Sequence, residues 1–228
     1  MKTIGVIGGL GPQATIDFEA RLHAASQRLI PPNANSGYPP MLVYYHRAPP
    51  FVSNRDGTLH IHPALLEKLE AFGALADFLV IPSNYPHILR ETFEQVSRRT
   101  VLSMIDITVD EVRKRGWQLA GLLGKGEPSV YMDPFDRLGM PYEVLSGDLV
   151  ELRTRLDRSI IAVMEGREGP EDRAAAMEAV HTLRNKGVDG IVLGCTEIPL
   201  LMGDAADAPD LINPTALLAE AAIRYALQ

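Results

Sequence analysis

The two halves of this chain resemble each other, and this resemblance constrains the fold more than any other feature. In the first half, Gly5-Val6-Ile7-Gly8-Gly9 is followed by Val80-Ile81-Pro82-Ser83-Asn84. In the second half, Gly121-Leu122-Leu123-Gly124-Lys125 is followed, after a very similar separation, by Val192-Leu193-Gly194-Cys195-Thr196. We therefore predict two similar α/β units that carry a hydroxyl and a thiol at corresponding positions. If the units face each other, these two groups meet across a cleft.

The composition is that of an ordinary soluble globular protein, with 46% hydrophobic and 22% charged residues in a chain of 228. At roughly 150 residues per domain, this length suits one large domain or two small ones. The net charge of −7 argues against nucleic acid or an anionic membrane as a partner, because both attract clustered Lys and Arg. We expect no nucleic-acid partner and no membrane partner.

The chain contains a single cysteine, Cys195, which excludes an internal disulfide and fits a reducing cytosol. The apolar run from Ile4 to Gly9 is too short for a signal peptide or a membrane span. A cytoplasmic protein is therefore expected. The thiol is either a small buried hydrophobe or a chemical group, and its place after a predicted strand favours chemistry.

Short apolar runs alternate with amphipathic stretches, a pattern typical of βα units around parallel sheets. The predicted strands are residues 3–8, 41–45, 78–81, 118–123, 142–145 and 190–193. The predicted helices are residues 13–29, 63–75, 84–97, 149–165, 171–186 and 215–227.

Candidate site residues follow the carboxyl ends of four predicted strands, where open α/β sheets place their ligands. They are Gly8, Ser83, Gly124 and Cys195. The chain turns after Cys195, and the backbone N–H groups of this turn are expected to stabilise a thiolate and lower the pKa of the thiol.

The glycine-rich turn Gly8-Gly9-Leu10-Gly11 resembles a dinucleotide-binding turn, but such a motif alone is weak evidence. The second predicted strand leads into His46-Arg47 and lacks the acidic residue that would hold a ribose. We therefore interpret Gly8, Gly9 and Leu10 as a loop that binds a small anion, such as a carboxylate, through backbone N–H groups.

Three parts of the sequence together resemble the aspartate/glutamate racemase family. They are Ile4-Gly5-Val6-Ile7-Gly8-Gly9-Leu10-Gly11-Pro12-Gln13-Ala14-Thr15, the pair Asn84 and His87, and Leu193-Gly194-Cys195-Thr196-Glu197-Ile198-Pro199-Leu200-Leu201. The resemblance continues to Ile212-Asn213-Pro214-Thr215, just before the last predicted helix.

The resemblance implies a cofactor-independent amino-acid racemase of two similar parallel-sheet α/β domains, related by a pseudo-twofold axis, with the active site in the cleft between them. The expected first domain covers residues 1–103 and is completed by the C-terminal helix, residues 208–228. Residues 104–207 form the expected second domain. The resemblance also implies a homodimer. The ligand that it implies is a small amino acid or dicarboxylate. No cofactor is expected.

The mechanism that this resemblance implies uses two bases, one on each face of the substrate. Cys195 is the implied base for the L-amino acid. Because no pyridoxal delocalises the carbanion, fixed donors must hold the α-carboxylate as charge develops. Gly8, Gly9, Asn84 and Thr196 are the candidates, with helix capping as the equal alternative for Asn84 and Thr196.

Ser83 departs from the family pattern, which has a cysteine at this place. A serine hydroxyl is a much weaker acid than a thiol, so we expect slow or asymmetric racemisation in which abstraction from the L side survives best. His87, four residues further on, lies on the same helical face and is a candidate proton relay or positioning residue. The equal alternative is a histidine satisfied inside the protein. Glu197 is expected to support Cys195.

The expected substrate-binding residues depart from the family pattern as well. Phe51 stands where aspartate-type members carry an arginine for the distal carboxylate, and Arg47 or Arg55 is close enough in sequence to replace it. Lys125 stands in place of threonine and suits a carboxylate, and Tyr85 is expected to contact the substrate. The alternative for each basic residue is a solvated surface charge, which is the better interpretation for Arg55. Aspartate or glutamate is the expected substrate.

His60 and His62 are two residues apart, but no further ligand pattern accompanies them, so no metal is expected. Two other functions remain open. Relatives with one active-site cysteine include decarboxylases of disubstituted malonates, which makes a cofactor-free decarboxylase or isomerase of a small dicarboxylate the second hypothesis. The third is a non-catalytic carboxylate-binding homologue.

Overall fold

The chain forms two compact units. The computed structural model describes residues 1–34, 36–47 and 49–228, so Asn35 and Ala48 lie outside the described residues. The first unit contains Met1–Met104 and Thr215–Gln228, and the second contains Ile105–Pro214. Both units are built from parallel strands and helices, which confirms the predicted α/β class.

The first unit contains a three-stranded parallel sheet. Its strands are β1 (Ile4–Gly8), β2 (Met41–Tyr45) and β5 (Phe78–Val80), in the order β2-β1-β5, and a separate antiparallel hairpin is formed by β3 (Phe51–Ser53) and β4 (Leu59–Ile61). The helices are α1 (Pro12–Leu29), α2 (Pro63–Leu75), α3 (Arg90–Ser97) and the last helix of the chain, α9 (Pro214–Ala226), with a 3-10 helix at Tyr85–Leu89.

Strand β1 lies at the centre of this sheet. It pairs with β2 from Ile4↔Met41 to Gly8↔Tyr45, and it also pairs with β5. All five of its residues are buried, as expected for a central parallel strand covered on both faces. The core cluster that packs α2 and α3 onto the sheet includes Ile7, Leu65, Leu69, Ile81 and Phe93.

The second unit contains a four-stranded parallel sheet. Its strands are β6 (Ala120–Leu123), β7 (Tyr142–Glu143), β8 (Gly190–Leu193) and β9 (Leu211–Ile212), in the order β7-β6-β8-β9. Its helices are α4 (Met104–Arg115), α5 (Ser129–Leu138), α6 (Val150–Glu165), α7 (Pro170–Asn185) and α8 (Glu197–Met202), with 3-10 helices at Gly147–Leu149 and Gly203–Asp207.

Helices α6 and α7 bury their apolar faces against β6 and β8. The shared core includes Leu156, Ile160, Val180, Leu183, Ile191, Leu193 and Ile198. Arg184 of α7 also forms a two-pronged ion pair with Asp210, at 2.7 and 2.8 Å, just before β9. This ion pair therefore connects the edge strand β9 to α7, the helix that covers the sheet.

The predicted elements agree closely with the structure, with one exception. All six predicted strands are present, shortened by at most two residues at an end, and five of the six predicted helices match within one residue. The prediction of one helix over residues 84–97 is wrong, because the chain forms a 3-10 helix that ends at Leu89 before α3 begins. Leu89 has φ −112° and ψ 23°, outside α-helical geometry, and Pro86 lacks a backbone N–H.

Several elements were not predicted. They are the β3–β4 hairpin, α4, α5, α8 and β9. Helix α5 contains Pro134, a residue that argues against a helix interior. Strand β9 has two residues and α8 has six, so neither is long enough to establish a hydrophobic period.

Among the helices of the described residues, none combines the length and the apolar character that crossing a membrane requires.

Gly190 provides a test of the packing between β8 and its surroundings. A Cβ atom at this position would overlap the ring of Trp117 and would lie 2.6 Å from the carbonyl oxygen of Asp210. We expect Gly190→Ala to lower the free energy of unfolding by about 3 kcal/mol, measured by urea denaturation. The control is Gly169→Ala, whose Cβ meets no atom within 4 Å and whose cost should stay below about 1 kcal/mol. Equal costs for the two variants would contradict this packing.

Candidate active site

Ser83 lies in a tight turn just past the carboxyl end of β5, where it was predicted. Its backbone N–H donates to the carbonyl of Ile81 at 2.8 Å, and the N–H of His87 donates to the carbonyl of Asn84 at 3.1 Å. Ser83 is half-buried and Asn84 is buried. The Asn84 side chain does not cap the 3-10 helix that follows it, so the capping alternative for this residue is wrong.

His87 is buried and binds the backbone on both sides of its ring. Nδ1 lies 2.9 Å from the carbonyl oxygen of Ser83, which makes it the donor, and Nε2 accepts the N–H of Met104 at 3.1 Å. This pattern assigns the neutral Nδ1–H tautomer. Burial lowers the pKa of His87, although the carbonyls that it faces act in the opposite direction.

The geometry makes His87 a positioning residue for Ser83. Its ring contacts the Ser83 carbonyl and not the hydroxyl, so the structure favours the satisfied buried histidine over the proton relay. The same ring holds the first N–H of α4, so one side chain fixes both the turn that carries Ser83 and the start of the next helix.

The glycine-rich loop after β1 is closed by Thr15. The Thr15 hydroxyl accepts the N–H of Gly9 at 3.0 Å and donates to the carbonyl of Gly11 at 3.0 Å. The Gly9 N–H is therefore occupied, and its predicted role as a donor to a carboxylate is not supported by this geometry. The Thr15 side chain also lies against Gly8, where a Cβ would be 2.6 Å from its methyl group.

Gly9 has a structural requirement of its own. Its φ is +80°, and a Cβ would lie 2.8 Å from the backbone nitrogen of His46. Only glycine fits both conditions. The next residue, Leu10, is half-buried and packs against the apolar core of the first unit.

The residues around β2 and β3 place aromatic rings beside the basic side chains. The guanidinium carbon of Arg47 lies 5.3 Å from the centroid of the Tyr45 ring, a cation–π arrangement. The rings of Phe51 and Tyr85 meet edge to face, with centroids 5.7 Å apart and planes at 73°. Arg55 is exposed in the turn of the β3–β4 hairpin.

The two histidines of this hairpin region contact neighbouring groups of the same region. The Nε2 atom of His60 lies 2.7 Å from the amide nitrogen of Asn54, and Nδ1 of His62 accepts the N–H of Ala64 and caps α2. Among the residues that the structure describes, no group of three or more His, Cys, Asp or Glu side chains is placed to hold a metal ion.

Cys195 follows β8 in the second unit, at the predicted end of the strand. The N–H of Gly194 donates to the carbonyl of Leu123 at 2.6 Å, which holds the end of β8 against β6. The Cys195 carbonyl then accepts the N–H of Ile198 at 3.1 Å as α8 begins. The thiol side chain is half-buried and packs against the core of this unit.

The Cys195 thiol donates to a buried carboxylate. Its sulfur lies 3.0 Å from Oε2 of Glu197, which is 2% exposed, and the same oxygen accepts the Thr196 hydroxyl at 3.1 Å. The Thr196 hydroxyl is thus bound to Glu197. It does not cap α8, so the capping alternative for Thr196 is wrong as well.

The prediction of a lowered pKa for Cys195 is wrong. Burial raises the pKa of this thiol well above its usual value, and the charge of Glu197 and the hydrogen bond to its carboxylate raise it further. The backbone N–H of Glu197 and the charge of Lys125 act in the opposite direction but do not prevail. Burial and the Glu197 carboxylate therefore both favour the protonated form of the Cys195 thiol.

Lys125 lies in the loop after β6, the strand that pairs with β8. The loop passes through Gly126, whose φ is +62°, and the Gly126 N–H donates to Asp157 of α6 at 2.7 Å. Lys125 is exposed, and its charge reaches Cys195. This location keeps it a candidate for binding the α-carboxylate of a substrate.

Each unit brings together part of the predicted site. Gly8, Gly9 and Leu10 follow β1, and Ser83 and the residues after it follow the neighbouring strand β5. In the second unit, Lys125 follows β6, and Cys195, Thr196 and Glu197 follow the neighbouring strand β8.

Two residues that shape these loops had not been given a role. Thr15 was part of the motif that carried the resemblance, and its spacing of four from Gly11 was the available signal. Asp157 lies 31 residues from Gly126, and no sequence pattern connects the two.

Comparisons with known proteins agree with this arrangement of strands and loops. The family model described as Asp/Glu/hydantoin racemase matches residues 7–222. The chain belongs to this family. Membership places it among racemases, which are isomerases.

Individual relatives are distant but cover the whole chain. The broad specificity amino-acid racemase RacX of Bacillus subtilis (strain 168) is 22% identical over 225 residues, which is 96% of each protein. An aspartate racemase homologue from Pyrococcus horikoshii OT3 superposes with a TM-score of 0.77 at 22% identity over all of both chains. An aspartate racemase from Picrophilus torridus gives 0.75 at 22% identity, covering 99% of this chain and 94% of its own. The structural matches establish the fold.

The buried ring of His87 generates a prediction about pH and stability. The unfolded chain protonates this histidine near pH 6.5, whereas burial lowers its pKa in the folded chain. The unfolded state therefore binds more protons below about pH 6.5, and stability falls as the pH drops through that value. We expect His87→Asn to be less stable than the wild type at pH 7.5 by about 1–3 kcal/mol, because two backbone groups lose their partner.

The same variant should lose less stability than the wild type between pH 7.5 and pH 5.5, measured by urea denaturation at each pH. His181→Asn, at an exposed histidine, is the control and should keep the wild-type pH dependence. A difference between His87→Asn and the wild type that stays constant over this range would contradict the assignment.

The contact between Cys195 and Glu197 generates a prediction about thiol reactivity. Replacing Glu197 by Gln removes the negative charge that raises the pKa of the thiol. Alkylation of Cys195 by iodoacetamide at pH 7.5 should then accelerate about tenfold for each unit by which the pKa falls. Glu178→Gln, which removes a surface carboxylate paired with Arg155, is the matched control and should react like the wild type. An unchanged pH profile in Glu197→Gln would refute the role of this carboxylate.

Proposed function

We propose that the chain racemises an amino acid without a cofactor, by removing and returning the α-proton. Cys195 is the proposed base, and Ser83 takes the second proton-handling position. The observation that carries the proposal is the Cys195 thiol at the end of β8 with a buried carboxylate 3.0 Å from its sulfur. Membership of a racemase family and the similarity to a curated amino-acid racemase support the reaction class.

The first step of the proposed reaction frees the thiolate. Cys195 is a thiol in this structure, so its proton must leave before the sulfur can act as a base, and the Glu197 carboxylate is the acceptor within reach. The thiolate then removes the α-proton of the L-amino acid, which regenerates the thiol and leaves a carbanion. Glu197 afterwards returns its proton to solvent.

Return of a proton on the opposite face is the proposed task of Ser83. Its hydroxyl donates to the carbanion while it accepts a proton from a water molecule, so no free alkoxide forms. This relay is slower than direct transfer from a thiol, because water and serine are both weak acids. The expected consequence is faster exchange from the L side than from the D side.

Stabilisation of the carbanion requires a positive group near the α-carboxylate. Lys125 suits this task because its charge already acts on the sulfur that removes the α-proton. Asn84, Gly8 and Leu10 remain proposed contacts to the substrate. Gly9 and Thr196 are weaker candidates, because the N–H of Gly9 and the hydroxyl of Thr196 are bound to Thr15 and Glu197.

The substrate, the oligomeric state and the location of the protein are part of the same proposal. The substrate in this proposal is a small amino acid. A homodimer in the cytoplasm, without nucleic-acid or membrane partners, remains our expectation. The homodimer is what the family resemblance implies, while the net charge of −7 and the single cysteine support the other expectations.

The test is α-proton exchange in deuterated water, followed by NMR for L- and D-enantiomers offered separately. We expect Cys195→Ala to abolish exchange, because no other thiol is present in the sequence. Ser83→Ala should slow proton return at least about tenfold while retaining part of the exchange from the L side. Ser83→Cys should accelerate racemisation by restoring a thiol at this position.

Ser129→Ala, at an exposed serine that opens α5, is the control and should leave all rates unchanged. Exchange that survives Cys195→Ala would refute the mechanism. Absence of exchange with every amino acid, together with release of carbon dioxide from an α-disubstituted malonate, would replace the racemase proposal by a decarboxylase.

A further inference from the structure

The turn that carries Ser83 leads directly into an aromatic pair. Tyr85 is two residues beyond Ser83 and opens the 3-10 helix, and its ring meets the edge of Phe51. Tyr85 is 50% exposed although it contacts another ring, so one side of the pair faces outward. An exposed aromatic surface next to a proposed catalytic hydroxyl suits contact with an apolar group.

The hairpin holds Phe51 in this place. The carbonyl of Pro50 accepts the N–H of His62 at 2.8 Å, and Phe51 pairs with Ile61 across β3 and β4. The Phe51 ring also packs against the core of the first unit, as does Leu10 of the glycine-rich loop. Phe51 and Tyr85 therefore form an apolar surface fixed by the fold, and Leu10 packs against the same core as Phe51.

Two basic residues of this region, Arg47 and Arg90, interact with other groups, and Arg55 lies in the turn at the opposite end of the hairpin from the Phe51–Ile61 pair. The Arg47 guanidinium lies over the ring of Tyr45, whose hydroxyl donates to Glu19 at 2.9 Å. Arg90 opens α3, and its charge acts on buried His87. The Arg90 side chain also interacts with another group of the protein. A carboxylate placed against Phe51 and Tyr85 would lose water without gaining a cation, which is unfavourable.

We infer that this apolar surface binds the side chain of the substrate and selects amino acids with apolar or aromatic side chains over aspartate and glutamate. The inference rests on the proposed function and departs from the substrate that the sequence predicted. Phe51 and Tyr85 determine specificity in this assignment, and Lys125 holds the α-carboxylate that every substrate shares. Differences of one methylene in such a surface change selectivity roughly tenfold or more.

The test measures Cys195-dependent α-proton exchange for L-leucine, L-methionine, L-phenylalanine, L-aspartate and L-glutamate. In the wild type, the three apolar substrates should exchange at least about tenfold faster than the two acidic ones. Phe51→Arg should shift the aspartate-to-leucine ratio toward aspartate by at least about tenfold. The matched control is Val52→Arg, at the next and more exposed residue of β3, which should leave the ratio unchanged.

Phe51→Leu provides a second variant that keeps the surface apolar. It should weaken exchange of phenylalanine more than exchange of leucine, because the edge-to-face partner is lost and the apolar area remains. Faster exchange of aspartate or glutamate in the wild type, abolished by Cys195→Ala, would overturn the inference and leave the proposed function in place. Absence of exchange with all five amino acids would overturn the inference, and absence with every other amino acid as well would overturn the proposed function.

Discussion

Parallel pairing of the central strands is the constraint on which both parts of the candidate site depend. Strands β1 and β5 are paired in one unit, and β6 and β8 are paired in the other from Ala120↔Gly190 to Leu123↔Leu193. These strands are buried on both faces, so their side chains serve packing and leave little room for polar chemistry. Chemistry is confined to the loops at their carboxyl ends, where Ser83 and Cys195 follow β5 and β8. The glycine contacts at these ends, such as Gly9 against His46 and Gly194 against Tyr131, bring the loops close to the strands.

The cysteine shows how burial and reactivity oppose each other in this fold. The loop after β8 places the Cys195 sulfur in an apolar setting, which disfavours a thiolate, and adds a carboxylate, which disfavours it further. A permanently ionised thiol would need no deprotonation step before acting as a base, but it would also be a target for oxidation and alkylation. In this arrangement the protonated thiol is favoured, and the carboxylate that the proposed mechanism uses as proton acceptor lies 3.0 Å from the sulfur.

The sequence predicted regular elements well and local hydrogen bonding poorly. Strand β1 was found from its short apolar run, and helix α2 from the proline at its first position. Both are local signals. The placement of Ser83 and Cys195 followed from the same signals, because a strand end needs no long-range information. The raised pKa of Cys195 could not be foreseen from the turn that follows it. That pKa depends on the rotamer of Glu197 and on burial by distant segments. The bond between Gly126 and Asp157 joins residues 31 apart and depends on how α6 packs.

The resemblance between the halves clarifies why the two units differ in their proposed roles. Cys195 and Ser83 correspond, and so do Glu197 and Tyr85, each two residues further along the chain. In the second unit this position carries the Glu197 carboxylate, which accepts a hydrogen bond from the thiol. In the first unit the same position carries an aromatic ring that contacts Phe51, and His87 binds the Ser83 carbonyl instead of its hydroxyl. His87 therefore does not make the contact with the Ser83 hydroxyl that was expected of a proton relay. The first unit thus places an aromatic pair where the second places a carboxylate beside its thiol.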